Sequence, residues 1–142
     1  MNKKYTTLQN CACAALRQSS RMITQHYETK LKMVGLTSAQ FNIMAVLINL
    51  GPLPVSQLAT ALGQDRTGLT RNLAIMEKNG WVQFQAGTDL RVKKVSLARQ
   101  GTAKLDAVIP LWEEAQNRIQ EHMGDLEIIH SVARKLKTAL GT

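Results

Sequence analysis

Residues 56–73 read Ser56-Gln57-Leu58-Ala59-Thr60-Ala61-Leu62-Gly63-Gln64-Asp65-Arg66-Thr67-Gly68-Leu69-Thr70-Arg71-Asn72-Leu73. Two short amphipathic segments meet here at a glycine. Leu58, Ala59 and Leu62 recur at helical spacing and form one apolar face. Gly63 permits the sharp turn that follows. Asp65 is placed to cap a second helix. Leu69, Leu73 and Met76 of that helix fall four and three residues apart and build its buried stripe. Thr67, Gly68, Thr70 and Arg71 are left outward, with Arg66 at the first helical position. These are small, polar or basic groups. A helix that enters the DNA major groove by its N-terminal half needs that make-up, because hydroxyls and a guanidinium then reach base edges and phosphates. The N–H groups of the first turn favour a phosphate as well. The stretch predicts a helix-turn-helix. The same pattern also fits an ordinary helical hairpin with a solvated face.

Downstream, Gly80 ends the second helix and two strands are expected, residues 81–86 and 92–97. Between them lies the polar turn Gly87-Thr88-Asp89-Leu90-Arg91. A charged β-turn beside a helix-turn-helix reads as a wing. Arg91 is expected in the minor groove, whose narrow A·T tracts attract guanidinium. Asp89, two residues away, is expected to orient Arg91, since a carboxylate at a DNA surface otherwise only repels phosphate. Lys93 and Lys94 point to opposite faces of their strand. At most one of them touches backbone phosphate, and the other is solvated.

Further out, Thr37 or Ser38 can cap a helix, with Gln40 placed to close a capping box on Thr37, and that helix stops at Gly51-Pro52. It carries Phe41, Ile43, Met44, Val46, Leu47 and Ile48, so it is expected to be buried on most sides. A long helix is expected from about Tyr5 to Val34, stopped by Gly35. Another runs from Arg99 to Met123, with Pro110 as the place for a bend, and a last one from Asp125 to Leu140. The fold class is mainly α with a small β-hairpin wing: a winged helix-turn-helix with long N- and C-terminal helices. One structural domain is expected in three parts. Residues 1–36 form an N-terminal dimerisation helix, 37–98 the DNA-binding lobe, and 99–142 the C-terminal dimerisation helices. The outer helices carry more apolar positions than one small domain buries, so a second copy is their expected cover and a homodimer the expected assembly.

The 142 residues include 18 basic and 10 acidic side chains, a formal charge of +8. That suits a polyanionic partner, double-stranded DNA or an anionic membrane surface; a basic scaffold for acidic proteins is a reading of another class. With 44% hydrophobic and only 4% aromatic residues, a helical core fits better than a β-sandwich. No apolar run approaches the roughly 18–20 residues of a membrane span, and the N-terminus lacks the apolar stretch of a signal peptide. No membrane partner and a cytoplasmic location are therefore expected, with Cys11 and Cys13 reduced at rest. Their one-residue spacing is cramped for a disulfide within the chain and matches no zinc pattern. His26, His122 and His130 are scattered, so no metal site is expected. Glu113 and Glu114 face different ways on a helix and make a poor acid–base pair. There is no Ser-His-Asp set, P-loop or dinucleotide fingerprint. Neither an enzyme nor a cofactor is expected. Trp112 reads as core or interface packing, or else as a wall of an effector pocket.

Several of these stretches together resemble the MarR regulators. They are Leu58-Ala59 through Asp65-Arg66-Thr67, Leu69 to Leu73, and Glu77-Lys78-Asn79-Gly80-Trp81-Val82. Asp89-x-Arg91, with Val95, Leu97 and Gly101, matches that family's wing signature, and Leu36-Thr37-x-x-Gln40-Phe41 matches the start of its second helix. Ala98 departs from the pattern, which has Thr there as a helix cap. The resemblance implies a homodimer joined through the first and last helices and a pseudo-palindromic operator. It implies repression, and a small aromatic or lipophilic effector between the arms and the DNA-binding lobe. Cys13-Ala14-Ala15-Leu16 with Ser20-Arg21 is similar to the first helix of the family's peroxide-sensing branch. There, one cysteine is oxidised while two tyrosines of the other subunit hold its thiolate. Tyr27 falls on one tyrosine position and Ser38 on the other. Cys13 and Tyr27 are 14 residues apart, about 21 Å along a helix, so they meet only across a dimer. The alternative is that both cysteines are small hydrophobes in the helix interface.

Overall fold

The chain folds from the N-terminus into α1 (Lys3–Thr6), α2 (Ala12–Leu31), α3 (Ser38–Leu50), β1 (Leu53–Pro54) and α4 (Val55–Leu62). There follow α5 (Arg66–Lys78), β2 (Val82–Ala86), β3 (Lys93–Leu97), α6 (Arg99–Met123) and α7 (Glu127–Leu140). The computed structural model describes residues 2–89 and 91–141; Leu90 of the expected turn lies outside the described residues. The architecture is a winged helix-turn-helix, mostly helical with one small antiparallel sheet.

The N-terminal helix is not continuous from Tyr5. A 3-10 turn at Thr7–Asn10 and an extended Cys11 (φ −66°, ψ 116°) separate α1 from α2. Thr6, Thr7 and Asn10 are weak helix formers. The Thr6 and Thr7 hydroxyls bond back to the carbonyls of Asn2 and Lys4. No residue of this stretch is buried, so packing does not rescue a helix too short to sustain itself. From Ala12 onward α2 runs unbroken and ends in a second 3-10 turn, Lys32–Val34. Gly35, at φ 78°, closes it in the left-handed region, as its sequence position suggests.

The capping box at Thr37 forms as expected. Thr37 Oγ1 accepts from Gln40 N at 3.1 Å, and Gln40 Oε1 accepts from Thr37 N at 3.1 Å. Ile43, Met44 and Leu47 of α3 are buried. Ile48 and Leu50 are not, at 47% and 60% exposure, so α3 buries one broad face rather than most sides.

The sheet has three strands in the order β1-β3-β2, not two. Leu53 lies opposite Val95 and Pro54 opposite Lys94. A two-residue strand shows no alternation in sequence, which is why it reads as a loop. Proline is tolerated there because β1 is an edge, and Pro54 then leads straight into α4. The hairpin β2–β3 pairs Val82 with Leu97 and Phe84 with Val95.

One core joins the arms to the lobe. Leu31 and Leu36 meet Ile43, Met44 and Leu47 of α3, Leu58 of α4, and Leu69, Leu73 and Met76 of α5. Val82, Val95, Leu105 and Val108 belong to the same cluster. Gly101 on α6 lies against the backbone of Trp81, and a Cβ there would overlap the Trp81 carbonyl oxygen and stand 2.7 Å from Leu97 Cδ2. Lys30 pairs with Glu114 at 2.9 Å and His26 Nε2 bonds to the Ala115 carbonyl at 2.9 Å, tying α2 to α6. On α7, Ile128, Val132, Leu136 and Leu140 form an exposed apolar stripe at four-residue spacing. Tyr5, Leu8 and Leu16 near the other end of the chain are exposed as well. Among the described residues no single helix is long and apolar enough to cross a membrane.

Candidate nucleic-acid interface and effector cavity

Helix α5 is built to bury one side only. Leu69, Leu73 and Met76 are fully or almost fully buried, while Arg66, Thr67, Gly68, Thr70 and Arg71 are exposed. Asp65, extended at φ −76° and ψ 165°, caps the helix by accepting from Gly68 N at 3.5 Å. This bond is long, so the first-turn N–H groups remain a weakly satisfied, electropositive end. Ile75 is exposed on the same helix; the sequence reading did not single it out.

At the tip of the hairpin, Asp89 Oδ1 accepts from the Arg91 backbone N–H at 3.0 Å and from Arg91 Nε at 3.5 Å. The second contact is an ion pair in which the Arg91 side chain is 92% exposed. The carboxylate holds the base of the guanidinium and leaves its outer nitrogens free. Gly87 N donates to the Val92 carbonyl and Val92 N to the Asp89 carbonyl, which closes the turn. Lys93 is exposed and Lys94 half-buried on the central strand. Lys94 leans its aliphatic stem toward Gly87, with Cε 3.6 Å from where a Cβ on that glycine would stand. The two lysines are therefore unequal, and Lys93 is the freer charge.

The structure separates the residues of the thiol reading. Cys11 and Cys13 are both exposed on this chain. Tyr27 stands on α2, where its hydroxyl donates to Gln116 Oε1 of α6 and its ring meets His26 edge-on at 5.6 Å. Burial pushes the Tyr27 phenol above its ordinary pKa of 10.0. Ser38 is engaged elsewhere: the Glu28 carboxylate of α2 accepts from both its backbone N–H at 3.1 Å and its hydroxyl at 3.0 Å. Among the described residues no group of three or more His, Cys, Asp or Glu is placed to hold a metal ion.

A cavity of about 230 Å³ opens between the arm and the lobe. Ile23, Thr24, Tyr27 and Leu31 line it from α2, Ser38, Phe41 and Asn42 from α3, and Trp112 from α6. Trp112 stacks on Phe41, with ring centroids 6.1 Å apart and planes 28° from parallel. This geometry is compatible with both sequence readings of Trp112: it packs on Phe41 and it lines the cavity. A second, smaller cavity of about 150 Å³ lies on the far side of Ile23 and Tyr27, against Ile119, Leu126 and Ile129. Of the first cavity's lining the sequence offers only Trp112 as a pocket wall; the rest is not legible there, because each cavity is assembled from helices far apart along the chain.

Comparison with known proteins agrees with this geometry. The family model of the MarR family matches residues 36–93. An HTH-type transcriptional regulator of Bacillus subtilis, YwoH, is 30% identical over 93 residues, which is 66% of this chain and 68% of the relative. The M. tuberculosis transcriptional regulator MosR, in complex with DNA, is 36% identical over 92% of this chain and 96% of its own, with a TM-score of 0.83. A mutant of E. coli MarR complexed with operator DNA shares the fold at a TM-score of 0.81 over 99% of both chains, with 18% identity.

Proposed function

The chain belongs to the MarR family of transcription regulators, and from that premise we propose that it represses transcription by binding a pseudo-palindromic operator as a homodimer, and that a small ligand releases it. The observation that carries the DNA reading is the hold of Asp89 on Arg91 at the wing tip. A guanidinium fixed at its base and otherwise exposed is presented for contact; its partner carboxylate has no other evident use there. Helix α5 adds Arg66, Thr67, Gly68, Thr70 and Arg71 for the major groove, and Lys93 and Lys94 add phosphate contacts. In this reading residues 37–98 are the DNA-binding lobe. Residues 1–36 and 99–142 supply the dimer contact, supported by the exposed apolar side chains of α7 and of the N-terminal stretch. The reading carries a cytoplasmic location with it.

The effector in this reading is a small aromatic or lipophilic molecule in the cavity walled by Phe41 and Trp112. The cavity sits where α2 meets α3, so an occupant differentially stabilises one spacing of the two recognition helices and shifts the population. A second input is favoured by the exposure of both thiols. The Cys13 thiolate attacks a peroxide oxygen, the O–O bond breaks, and sulfenic acid forms as hydroxide leaves. In that case Tyr27 acts from the partner subunit. Peroxide-driven DNA release that persists unchanged in Cys13→Ser rules this input out.

Fluorescence anisotropy on DNA from upstream of the protein's own gene, against a scrambled fragment at near-physiological salt, tests the main reading. Affinity at least ~10³-fold tighter for the upstream DNA is expected of an autoregulator. Equal, weak and steeply salt-dependent binding to both would mean that only the charge of a basic scaffold is being read.

A further inference from the structure

We propose that Ile75 of α5 reads sequence by seating its side chain on the 5-methyl group of a thymine in the major groove, beside the base pair that Arg71 reaches. The inference rests on the reading of α5 as the major-groove helix. Ile75 is 47% exposed and stands outside the core cluster that takes Leu69, Leu73 and Met76 of the same helix. At about 100° between successive helical residues it projects roughly 130° round the helix from that stripe. Arg71 lies one turn before it and Gly68 two turns before it on the same side, and Lys78 follows three residues later. These three neighbours are exposed, as is Ala74.

Neither packing nor helix propensity accounts for a branched apolar residue at this place. Isoleucine is a poorer helix former than Lys, Arg, Glu or Gln, which suit a solvated helix surface. The position does suit DNA. Arg71 and Lys78 flank Ile75 along the helix and hold it toward a polyanion, while Glu77 projects about 160° away round the helix. Gly68 and Ala74 beside it are too small to keep the helix off the base edges. Helical side chains lean toward the N-terminus, so Ile75 covers the turn that carries Arg71. The two residues are about 6 Å apart along the axis, which is one or two base-pair steps. The β-branch leaves essentially one χ1 rotamer in a helix, so contact costs little side-chain freedom. Thymine's methyl is the apolar group among the base edges of the major groove, and the Ile75 side chain has no hydrogen-bonding atom with which to read any other.

Selection of duplexes from a random-sequence library by the full-length protein tests this, with Ile75→Ala and Arg71→Ala selected in parallel. The unaltered protein is expected to enrich a thymine in each half-site, within two base pairs of the position whose preference Arg71→Ala loses. Ile75→Ala should lose the thymine and keep the rest of the motif. Replacing that one thymine by deoxyuracil in both half-sites removes only the methyl group. By anisotropy this should weaken the unaltered protein about threefold to fivefold per half-site and leave Ile75→Ala unaffected. No charge is lost, so the salt dependence of binding should be the same in Ile75→Ala. Its urea midpoint should be unchanged or higher, alanine being the better helix former. Identical motifs with an identical uracil penalty, or a preference lost at a base other than thymine, overturn the role of Ile75 and leave α5 as the reading helix. A marked fall in the urea midpoint makes Ile75 a packing residue and overturns that role too. No motif enriched by the unaltered protein overturns the groove reading of α5 and this inference with it.

Discussion

Glu28 on α2 closes the N-terminus of α3 from outside: its Oε1 accepts from the Ser38 backbone N–H at 3.1 Å and from the Ser38 hydroxyl at 3.0 Å. With the Thr37–Gln40 box, this satisfies donors of the first turn that have no intrahelical partner. One side chain of the arm thus fixes where the first helix of the lobe begins. Glu28→Ala should lower stability by about 1–2 kcal/mol, and Glu28→Gln by less. Urea unfolding of both variants measures it. Equal losses would show that charge, rather than the bond to Ser38, holds the contact.

The Asp89–Arg91 pair makes a prediction opposite to that of net charge. Removing an acid from a DNA-facing surface should strengthen binding through reduced repulsion. If Asp89 instead holds Arg91 in place, Asp89→Ala should weaken specific binding several-fold through lost preorganisation. Arg91→Ala should reduce the dependence of log affinity on log salt by about one unit. Anisotropy across a salt series reads both, and tighter binding by Asp89→Ala would falsify the positioning role.

Gly101→Ala sets two effects against each other. Helix propensity alone favours alanine by about 1 kcal/mol. Here, however, a Cβ would overlap the Trp81 carbonyl oxygen and crowd Leu97 at 2.7 Å, and overpacking costs about 1–3 kcal/mol. Backbone is the obstacle and cannot swing away, so net destabilisation is expected in thermal unfolding, together with displacement of the wing that Trp81 leads into.

Ala98 precedes α6 in the extended geometry of an N-cap, φ −78° and ψ 167°, with no side-chain hydrogen bond. Ala98→Ser supplies the missing acceptor without changing the backbone. A gain of about 1 kcal/mol is expected, read as a higher midpoint in urea at unchanged slope.

Tyr27 gives a pH signature. In a Tyr5→Phe protein, where Tyr27 is the sole tyrosine, absorbance should titrate with a midpoint above 10.0, because burial disfavours the phenolate. The folded state then holds this proton more tightly than the unfolded state. The associated stability is intact below about pH 10 and is lost as pH rises from there through the folded-state value. A midpoint at or below 10.0 would mean that the ring is solvated and the bond to Gln116 is open.

Much of this molecule is written in local pattern. The Leu69, Leu73 and Met76 stripe is buried as its spacing requires. Thr37 and Gln40 cap each other three residues apart, and Asp89 binds Arg91 two residues on. Gly35 and Gly63 take the positive φ their positions ask for. Each of these depends on residues within one or two turns of chain, where backbone geometry fixes who can touch whom. The break at Cys11 was not legible, because an apolar period continues through it and only the lack of any packing partner lets the weak helix formers win. Nor was β1, since a strand of two residues exists only by virtue of β3 beside it.

The sequence by itself determined the winged helix-turn-helix, the outward set on α5 and the charged turn of the wing, because helical and strand periods sort apolar from polar side chains before any tertiary contact forms. Only the tertiary structure decided the cavity. Tyr27 meets Gln116, and Phe41 meets Trp112, across 89 and 71 residues of chain respectively. Such pairings arise from how the helices cross. The crossing is set by the packing of the whole core, and no local pattern encodes it.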